Sequence, residues 1–312
     1  MTEYNYSNYT ITRYTQISFT VQKLYEQTFN KSYVFPQTLF EESENIIKLL
    51  LKKYNITTVI TYISGILWKI GSLYNDNKYD KEYIDKLLQK YQKYQSDLKK
   101  QIEKDSIGNE NTLSEKEKRN FLYWEDIIKV YNTVLDNLDR NNYNLFLDFV
   151  IIALYVLHPP TRADYANMYI FSDDSQVPSE IKDNYCVLQT NPRFVFHNYK
   201  TSKIKGTITI EIDKTLHDIL LDWVCINKSN FLLASYSSKN NTYRPLSENN
   251  LANKIKYIFM KQTNKPASIN TLRHSFISYN SKYDQNVINK QTNANKMMHS
   301  LEMADKYRRY VY

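Results

Sequence analysis

Apolar residues recur every three to four positions over residues 34–108, a spacing that places one face of a helix against a core. The pattern predicts an all-helical block with helices at 39–54, 57–70 and roughly 80–104. Threonines suit the start of the second helix, and many lysines lie opposite the apolar stripe of the third. This block is expected to be a small helical domain with a basic face.

The segments on either side of this block lack a clear period. Residues 1–33 are rich in Tyr, Thr and Asn, which is typical of a flexible arm or a loosely docked extension. Residues 105–114 combine Gly, Asn and Ser, which is typical of a linker. The pattern therefore predicts an N-terminal arm over 1–33, a helical domain over 34–108 and a second domain over 114–312.

The second domain is predicted to begin with helices. Ser114 and Glu117 match a capping box, and the apolar residues of 144–157 surround their helix, so this helix is expected at the centre of a core. Pro159 and Pro160 should end it.

The period then changes to that of short strands. Three are expected, beginning near Cys186, Arg193 and Gly206, with a lysine-bearing turn between the last two and helices from residue 213 onward. The predicted fold class is mainly α with a small antiparallel β-sheet, built as an N-terminal all-helical domain followed by an α+β domain.

Composition narrows the function. The formal net charge is +8 and the pI about 9.0, which favours a polyanionic partner, and nucleic acid ahead of a membrane surface. Only four glycines occur, so neither a Walker loop nor a dinucleotide-binding fingerprint can be assembled. ATP- and NAD-dependent chemistry by those routes is therefore excluded.

The expected location of the protein is intracellular. Cys186 and Cys225 are far apart and have no metal-ligand spacing, as expected of reduced cysteines inside a cell. The N-terminus lacks the apolar core of a signal peptide, and the nearly apolar run 146–157 is too short to span a bilayer. The chain is expected to be neither secreted nor membrane-inserted.

Arginine is scarce, at nine residues against thirty-two lysines, so an arginine in an apolar setting is informative. Two such arginines belong to a series of four short stretches. In chain order the stretches are PPTRADY with Arg162, NYKTSKIKG with Lys200, INTLRHSF with Arg273, and MMHSLEMADKY with His299 and Tyr307.

In their order and approximate separation, these stretches resemble the tyrosine recombinase (phage integrase) family over residues 114–312. The resemblance implies that Tyr307 is the nucleophile, that Arg162, Arg273 and His299 stabilise the phosphate charge, and that Lys200 is the general acid. Asp164 would orient the guanidinium of Arg162. Residues 34–108 would correspond to the core-binding domain of the family.

These residue types suit metal-free cleavage of a phosphodiester. The reaction needs a nucleophile, positive charge at the non-bridging oxygens and a proton for the leaving 5′-oxygen. Arginine matches two phosphate oxygens with a rigid fork, which lysine cannot do. No cofactor or metal is required.

The chain also departs from the family pattern. Asn270 stands where the family usually has a histidine, one helical turn before Arg273, and an amide cannot serve as a base. Tyr307 follows His299 by eight residues instead of the usual nine, although Met303 matches a residue four before the nucleophile. Tyr310 is the alternative nucleophile and would require an insertion.

Three neighbours of the motifs are judged less important. Lys203 and Lys205 lie close to Lys200, which is favoured because it directly follows its strand. His274 lies about 100° around the helix from Arg273 and is expected to be a packing residue.

The resemblance implies strand exchange on double-stranded DNA by a homo-tetramer that joins two DNA sites. Two related alternatives stay open: a type IB topoisomerase that acts as a monomer, and a non-catalytic DNA-binding relic of the family. A metal-dependent transposase is disfavoured, since the predicted strands carry few carboxylates. The chain is rich in Lys, Asn, Ile and Tyr, a composition typical of AT-rich coding sequences. Such coding is associated with mobile elements and large DNA viruses.

Overall fold

The computed structural model describes residues 8–75, 78–106, 113, 115–283 and 286–309. Ser114 of the predicted capping box, Tyr310 and most of the predicted linker lie outside the described residues. The chain divides into two compact units, Met1–Glu110 and Asn111–Tyr312.

The first unit is helical. Its helices are α1 (Asn8–Phe29), α2 (Gln37–Glu41), α3 (Ser43–Lys53), α4 (Ile56–Gly71) and α5 (Lys81–Ser106). The helix expected over 39–54 is interrupted at Glu42, which belongs to neither α2 nor α3. The side chain of Asn55 caps α4 by accepting a hydrogen bond from the backbone N–H of Thr58 at 2.8 Å, in place of the expected threonines.

Helix α1 contradicts the prediction of an arm over residues 1–33, as far as residues 8–29 are concerned. Its side chains Ile17, Val21, Leu24 and Tyr25 are buried in the core of the first unit, and α1 packs against α4. The two helices approach closely at Gly65, where an added Cβ would lie 2.7 Å from Cγ2 of Ile17. The Tyr- and Thr-rich composition concealed an apolar stripe of one residue per turn.

One helix in the described part of the chain, Ile56–Tyr74, is long and apolar enough to cross a membrane by length and composition alone. A core helix of a soluble protein passes the same test. Here Val59, Ile63, Ile66 and Ile70 are buried in the first unit against its other helices.

The second unit is built around a nearly all-round buried helix, as predicted. Its helices are α6 (Glu115–Asn120), α7 (Trp124–Asp136), α8 (Tyr143–Val156), α9 (Ser202–Lys205), α10 (Lys214–Ile226), α11 (Glu248–Thr263), α12 (Ile269–Tyr283), α13 (Val287–Lys296) and α14 (Leu301–Tyr307). Helix α8 buries side chains on all sides and packs against α7, α10 and α11. Asn142 caps its first turn.

A four-stranded sheet lies beside these helices, and it confirms the predicted small sheet. Its strands follow the order β1 (Tyr169–Phe171), β2 (Tyr185–Val187), β3 (Arg193–Phe196) and β4 (Ile208–Glu211). The three expected strands pair antiparallel, whereas β1, which was not predicted, joins β2 in parallel. A separate hairpin, β5 (Ala234–Ser237) and β6 (Thr242–Pro245), interrupts the region predicted to be helical.

Candidate active site

Arg273 is a fully buried cation in the second turn of α12. The helix begins with a reciprocal pair in which Ser268 accepts from the backbone N–H of Thr271 and donates its own N–H to the Thr271 hydroxyl. Nη1 of Arg273 donates to the carbonyl oxygen of Pro160 at 3.1 Å, and buried Nε has no protein acceptor. No ion pair among the described residues includes this guanidinium.

This isolation of Arg273 has an electrostatic consequence. Burial lowers the pKa of the guanidinium, and the nearby Tyr307 side chain opposes that shift. A buried charge without a paired anion is costly, so the position is poor for stability alone. The arrangement fits a group that receives an anion from outside the chain.

His299 is buried beside Arg273, at the end of α13. Met298 holds a left-handed conformation, with φ of 58°, and its N–H and that of His299 bond to carbonyls of the last helical turn. Nδ1 of His299 lies 3.4 Å from Nη2 of Arg273. Because an arginine can only donate, Nδ1 is the acceptor and Nε2 carries the proton. That buried Nε2–H has no partner within the described chain.

Four cations surround His299. Burial first, and then the charges of Arg273, Arg162, Lys205 and Lys200, lower the pKa of His299 to about 3. The imidazole is therefore neutral near pH 7, where it offers a hydrogen bond and no added charge. The structure thus brings together Arg162, Lys200, Arg273 and His299, which are distant in sequence.

Tyr307 completes this cluster from α14. Ser300 accepts the backbone N–H of Met303 at 3.2 Å, as expected of the residue that caps this helix. The ring of Tyr307 lies 5.1 Å from the guanidinium carbon of Arg273 and 5.0 Å from the ring of His299. Helix α14 ends at Tyr307.

Arg162 lies in an irregular turn after Pro160. Asp164 accepts from its backbone N–H at 2.9 Å, and its carbonyl accepts from the hydroxyl of Tyr155 at 2.7 Å. No hydrogen bond or ion pair among the described residues includes its guanidinium. Asp164 thus holds the backbone of Arg162 and not the guanidinium, contrary to the expected contact.

Asp164 itself is largely buried. Burial raises its pKa, while the Arg162 amide and the charges of Arg162 and Arg273 oppose the shift. The hydrogen bond from Tyr155 to the backbone of Arg162 could not be predicted from the sequence. In the apolar pattern of α8, this tyrosine resembles any other core residue.

Asn270 is exposed on α12, one turn before Arg273. No hydrogen bond within the described residues includes its side chain, so no described residue fixes its orientation by a hydrogen bond.

The lysines of the β3–β4 connection occupy different positions. Lys200 is exposed just after β3, whereas Lys205 ends the short helix α9 and donates from Nζ to the carbonyl oxygen of His299 at 2.9 Å. In the sequence, Lys205 is distinguished only as a neighbour of Lys200. Its contact spans 94 residues of sequence, so no local pattern could have predicted it.

His274 contacts the candidate nucleophile directly. Its ring stacks on that of Tyr307 with centroids 4.6 Å apart and an interplanar angle of 28°. Its Nδ1 lies 2.6 Å from the backbone carbonyl oxygen of Tyr307. The expectation of packing is met by the stacked rings, but the hydrogen bond goes beyond it.

No group of three or more His, Cys, Asp or Glu side chains in the described ranges could hold a metal ion.

Comparisons with known proteins succeed only at the level of structure. No family model matches the sequence, and no curated protein matches it. The chain is similar to the Tn1549 transposon integrase, solved as a fragment in complex with transposon right end DNA. The TM-score is 0.57 and the identity 11%, over 99% of this chain and 92% of that one.

Two further solved structures are matched with lower scores. They are the XerA recombinase, at TM-score 0.40 and 13% identity over 100% of this chain and 90% of that one, and the XerH site-specific recombinase bound to difH substrate, at TM-score 0.40 and 11% identity over 97% and 91%. The conclusion about the fold rests on the similarity to the Tn1549 integrase and on the helical architecture and small sheet described above. The chain has the fold of the tyrosine recombinases and integrases.

Proposed function

We propose that this protein is a site-specific DNA recombinase or integrase that cuts and rejoins DNA through a 3′-phosphotyrosine, without metal or ATP. The supporting observation is the buried guanidinium of Arg273, which forms no ion pair within the described chain and lies against the ring of Tyr307. A phosphodiester is an anion that such a fork binds with two oxygens. A tyrosine beside it is the residue required for attack on phosphorus.

In the proposed cleavage step the phenolic oxygen of Tyr307 forms a bond to the scissile phosphorus, and the bond from phosphorus to the 5′-oxygen breaks. Lys200 gives its proton to the departing 5′-oxygen, and the phenolic proton passes to water. His299 is not the base, because its Nδ1 accepts from Arg273 and its Nε2 carries a proton. A 5′-hydroxyl from the partner strand reverses the step and rejoins the DNA.

The charge that develops on the phosphate is held by three groups in this proposal. Arg162 and Arg273 bind the non-bridging oxygens, and the Nε2–H of His299 donates to one of them. Arg273 and His299 are oriented before DNA arrives, since contacts within the chain hold their side chains, whereas for Arg162 such contacts hold the backbone.

Double-stranded DNA is the proposed partner. The net charge of +8 supports it, and so does the Tn1549 integrase, whose structure contains transposon right end DNA. Residues 34–108, together with the packed helix α1, would form the core-binding domain, and residues 114–312 the catalytic domain. Strand exchange between two duplexes would use a homo-tetramer, inside the cell wherever the target DNA lies.

The decisive experiment traps the covalent intermediate on nicked DNA, from which the released fragment diffuses away so that rejoining is impossible. Wild type and Tyr310→Phe are expected to form a protein–DNA adduct, whereas Tyr307→Phe should form none. An adduct with Tyr307→Phe would contradict the assigned nucleophile. DNA binding without any wild-type adduct would instead support the non-catalytic alternative.

A plasmid assay separates recombination from topoisomerase activity. Recombination of paired target sites that depends on protein concentration supports the proposal. Efficient relaxation of supercoils by the monomer, without exchange between sites, would favour the type IB topoisomerase alternative.

A further inference from the structure

His274 makes two different contacts with one residue, Tyr307. The rings stack with centroids 4.6 Å apart, and Nδ1 lies 2.6 Å from the backbone carbonyl oxygen. Because that oxygen has no proton to give, Nδ1 carries the hydrogen and donates it. One side chain thus restrains both the backbone and the ring of Tyr307.

Tyr307 stands where such restraint is needed. It is the last residue of α14, a helix of seven residues, and the final carbonyls of a helix have no donor within it. A helix this short is marginal by itself. The hydrogen bond from His274 satisfies the terminal carbonyl and anchors the end of α14 to α12.

The ring of Tyr307 is confined on more than one side. His274 stacks against it, while the guanidinium of Arg273 and the ring of His299 lie 5.1 Å and 5.0 Å away. Arg273 and His274 are consecutive residues of α12. The group that would bind the phosphate and the group that restrains the tyrosine therefore move as one rigid element.

Resting on the proposed function, we infer that His274 is a positioning residue for Tyr307. It fixes the end of α14 and the plane of the phenol so that the hydroxyl meets a phosphate held by Arg273. Attack on phosphorus requires the oxygen close to the line opposite the leaving group, and a displacement of about 1 Å costs on the order of 100-fold in rate. His274 itself does not touch the phosphate or transfer a proton.

Two substitutions separate the contacts. His274→Asn retains a donor near the Nδ1 position and loses the stacked ring, whereas His274→Phe retains a ring and loses the donor. Each is expected to slow adduct formation at saturating DNA by about tenfold, and His274→Ala by about 100-fold. The dissociation constant for DNA should stay within twofold of wild type in all three.

His217→Phe is the matched control. Nε2 of His217 lies 2.6 Å from the carbonyl oxygen of Leu188, a similar bond in the same unit that involves none of the candidate site residues. It should lower thermal stability about as much as His274→Phe and leave the rate of adduct formation at wild-type level.

The outcomes distinguish the inference from the function on which it rests. Absence of an adduct with wild type overturns the proposed function. A wild-type adduct, with His274 variants that react as fast as His217→Phe, overturns the positioning role alone. Slower variants that lose DNA affinity in the same proportion would also overturn it, because His274 would then act on binding and not on the tyrosine.

Discussion

The ammonium group of Lys205 donates a hydrogen bond to the carbonyl oxygen of His299, 2.9 Å away, and joins the β3–β4 connection to the segment before α14. Lys200, at the other end of that connection, makes no hydrogen bond or ion pair with any described residue. The two lysines therefore have different environments. The ammonium group of Lys205 is bonded to the backbone of His299, and Lys200 is exposed to solvent.

Replacing the bridging 5′-oxygen of the DNA with sulfur should restore the cleavage rate of Lys200→Ala but not that of Lys205→Ala. A thiolate leaves without a proton, so it bypasses a general acid, whose loss costs on the order of 100-fold or more on ordinary DNA. Lys205→Ala should be slower on both substrates because the His299 segment loses its anchor. Lys203→Ala is the control in the same turn. If the sulfur substrate restored the cleavage rate of Lys205→Ala alone, Lys205 and not Lys200 would be the general acid.

Asn270→His should accelerate adduct formation by about tenfold or more, because imidazole can accept a proton and an amide cannot. Asn270 is exposed one turn before Arg273, so a larger ring is accommodated without repacking. Single-turnover rates on nicked DNA measure the effect, with Asn270→Gln as the control that adds length and no base. An unchanged rate in Asn270→His would show that the asparagine is no handicap.

Gly65→Ala should destabilise the first unit by about 1–3 kcal/mol, because the new methyl group would lie 2.7 Å from Cγ2 of Ile17 and push α1 from α4. Gly71→Ala is the control at the end of the same helix, where nothing lies within 4 Å of the added methyl group. Urea denaturation measures both. If α1 were loosely docked, the two variants would unfold at the same midpoint.

The free energy of unfolding should depend on pH through His158. Burial, reinforced by the charge of Lys296, lowers the pKa of this histidine to about 3, against 6.5 in an unfolded chain. Between these values the unfolded chain binds one more proton, so stability is lost as the pH falls from about 6.5 toward 3.

His158→Asn removes this titration while leaving a polar partner for Tyr165, whose hydroxyl lies 3.0 Å from Nδ1. Near pH 5.5 the slope of unfolding free energy against pH should decrease by about 1 kcal/mol per pH unit. Urea denaturation at several pH values between 5 and 7.5 measures it. An identical slope in the variant and wild type would exclude His158 as its source.

Local patterns were sufficient for much of the architecture. The periodicity predicted α4, α5 and α8 to within a few residues, because apolar stripes report which face a helix buries. Alternation predicted β2, β3 and β4. It missed β1 and the hairpin of β5 and β6, although these strands are as long as the ones that were predicted.

For the candidate site, too, the sequence identified some features and not others. The resemblance of four short stretches, in their order and approximate separation, to the tyrosine recombinase family pointed to Arg162, Arg273, His299 and Tyr307. It could not reveal that Arg162 lies in a turn, or that Met298 adopts a left-handed backbone.

Three features follow only from the folded chain: the docking of α1 on α4, the bond from Lys205 to His299, and the contact of His274 with Tyr307. Each joins residues that are 33 or more positions apart. Periodicity records which face a residue turns toward the core, but not which distant residue it meets there. That choice depends on how whole helices and turns pack together, and here it decides which side chains hold the candidate nucleophile Tyr307.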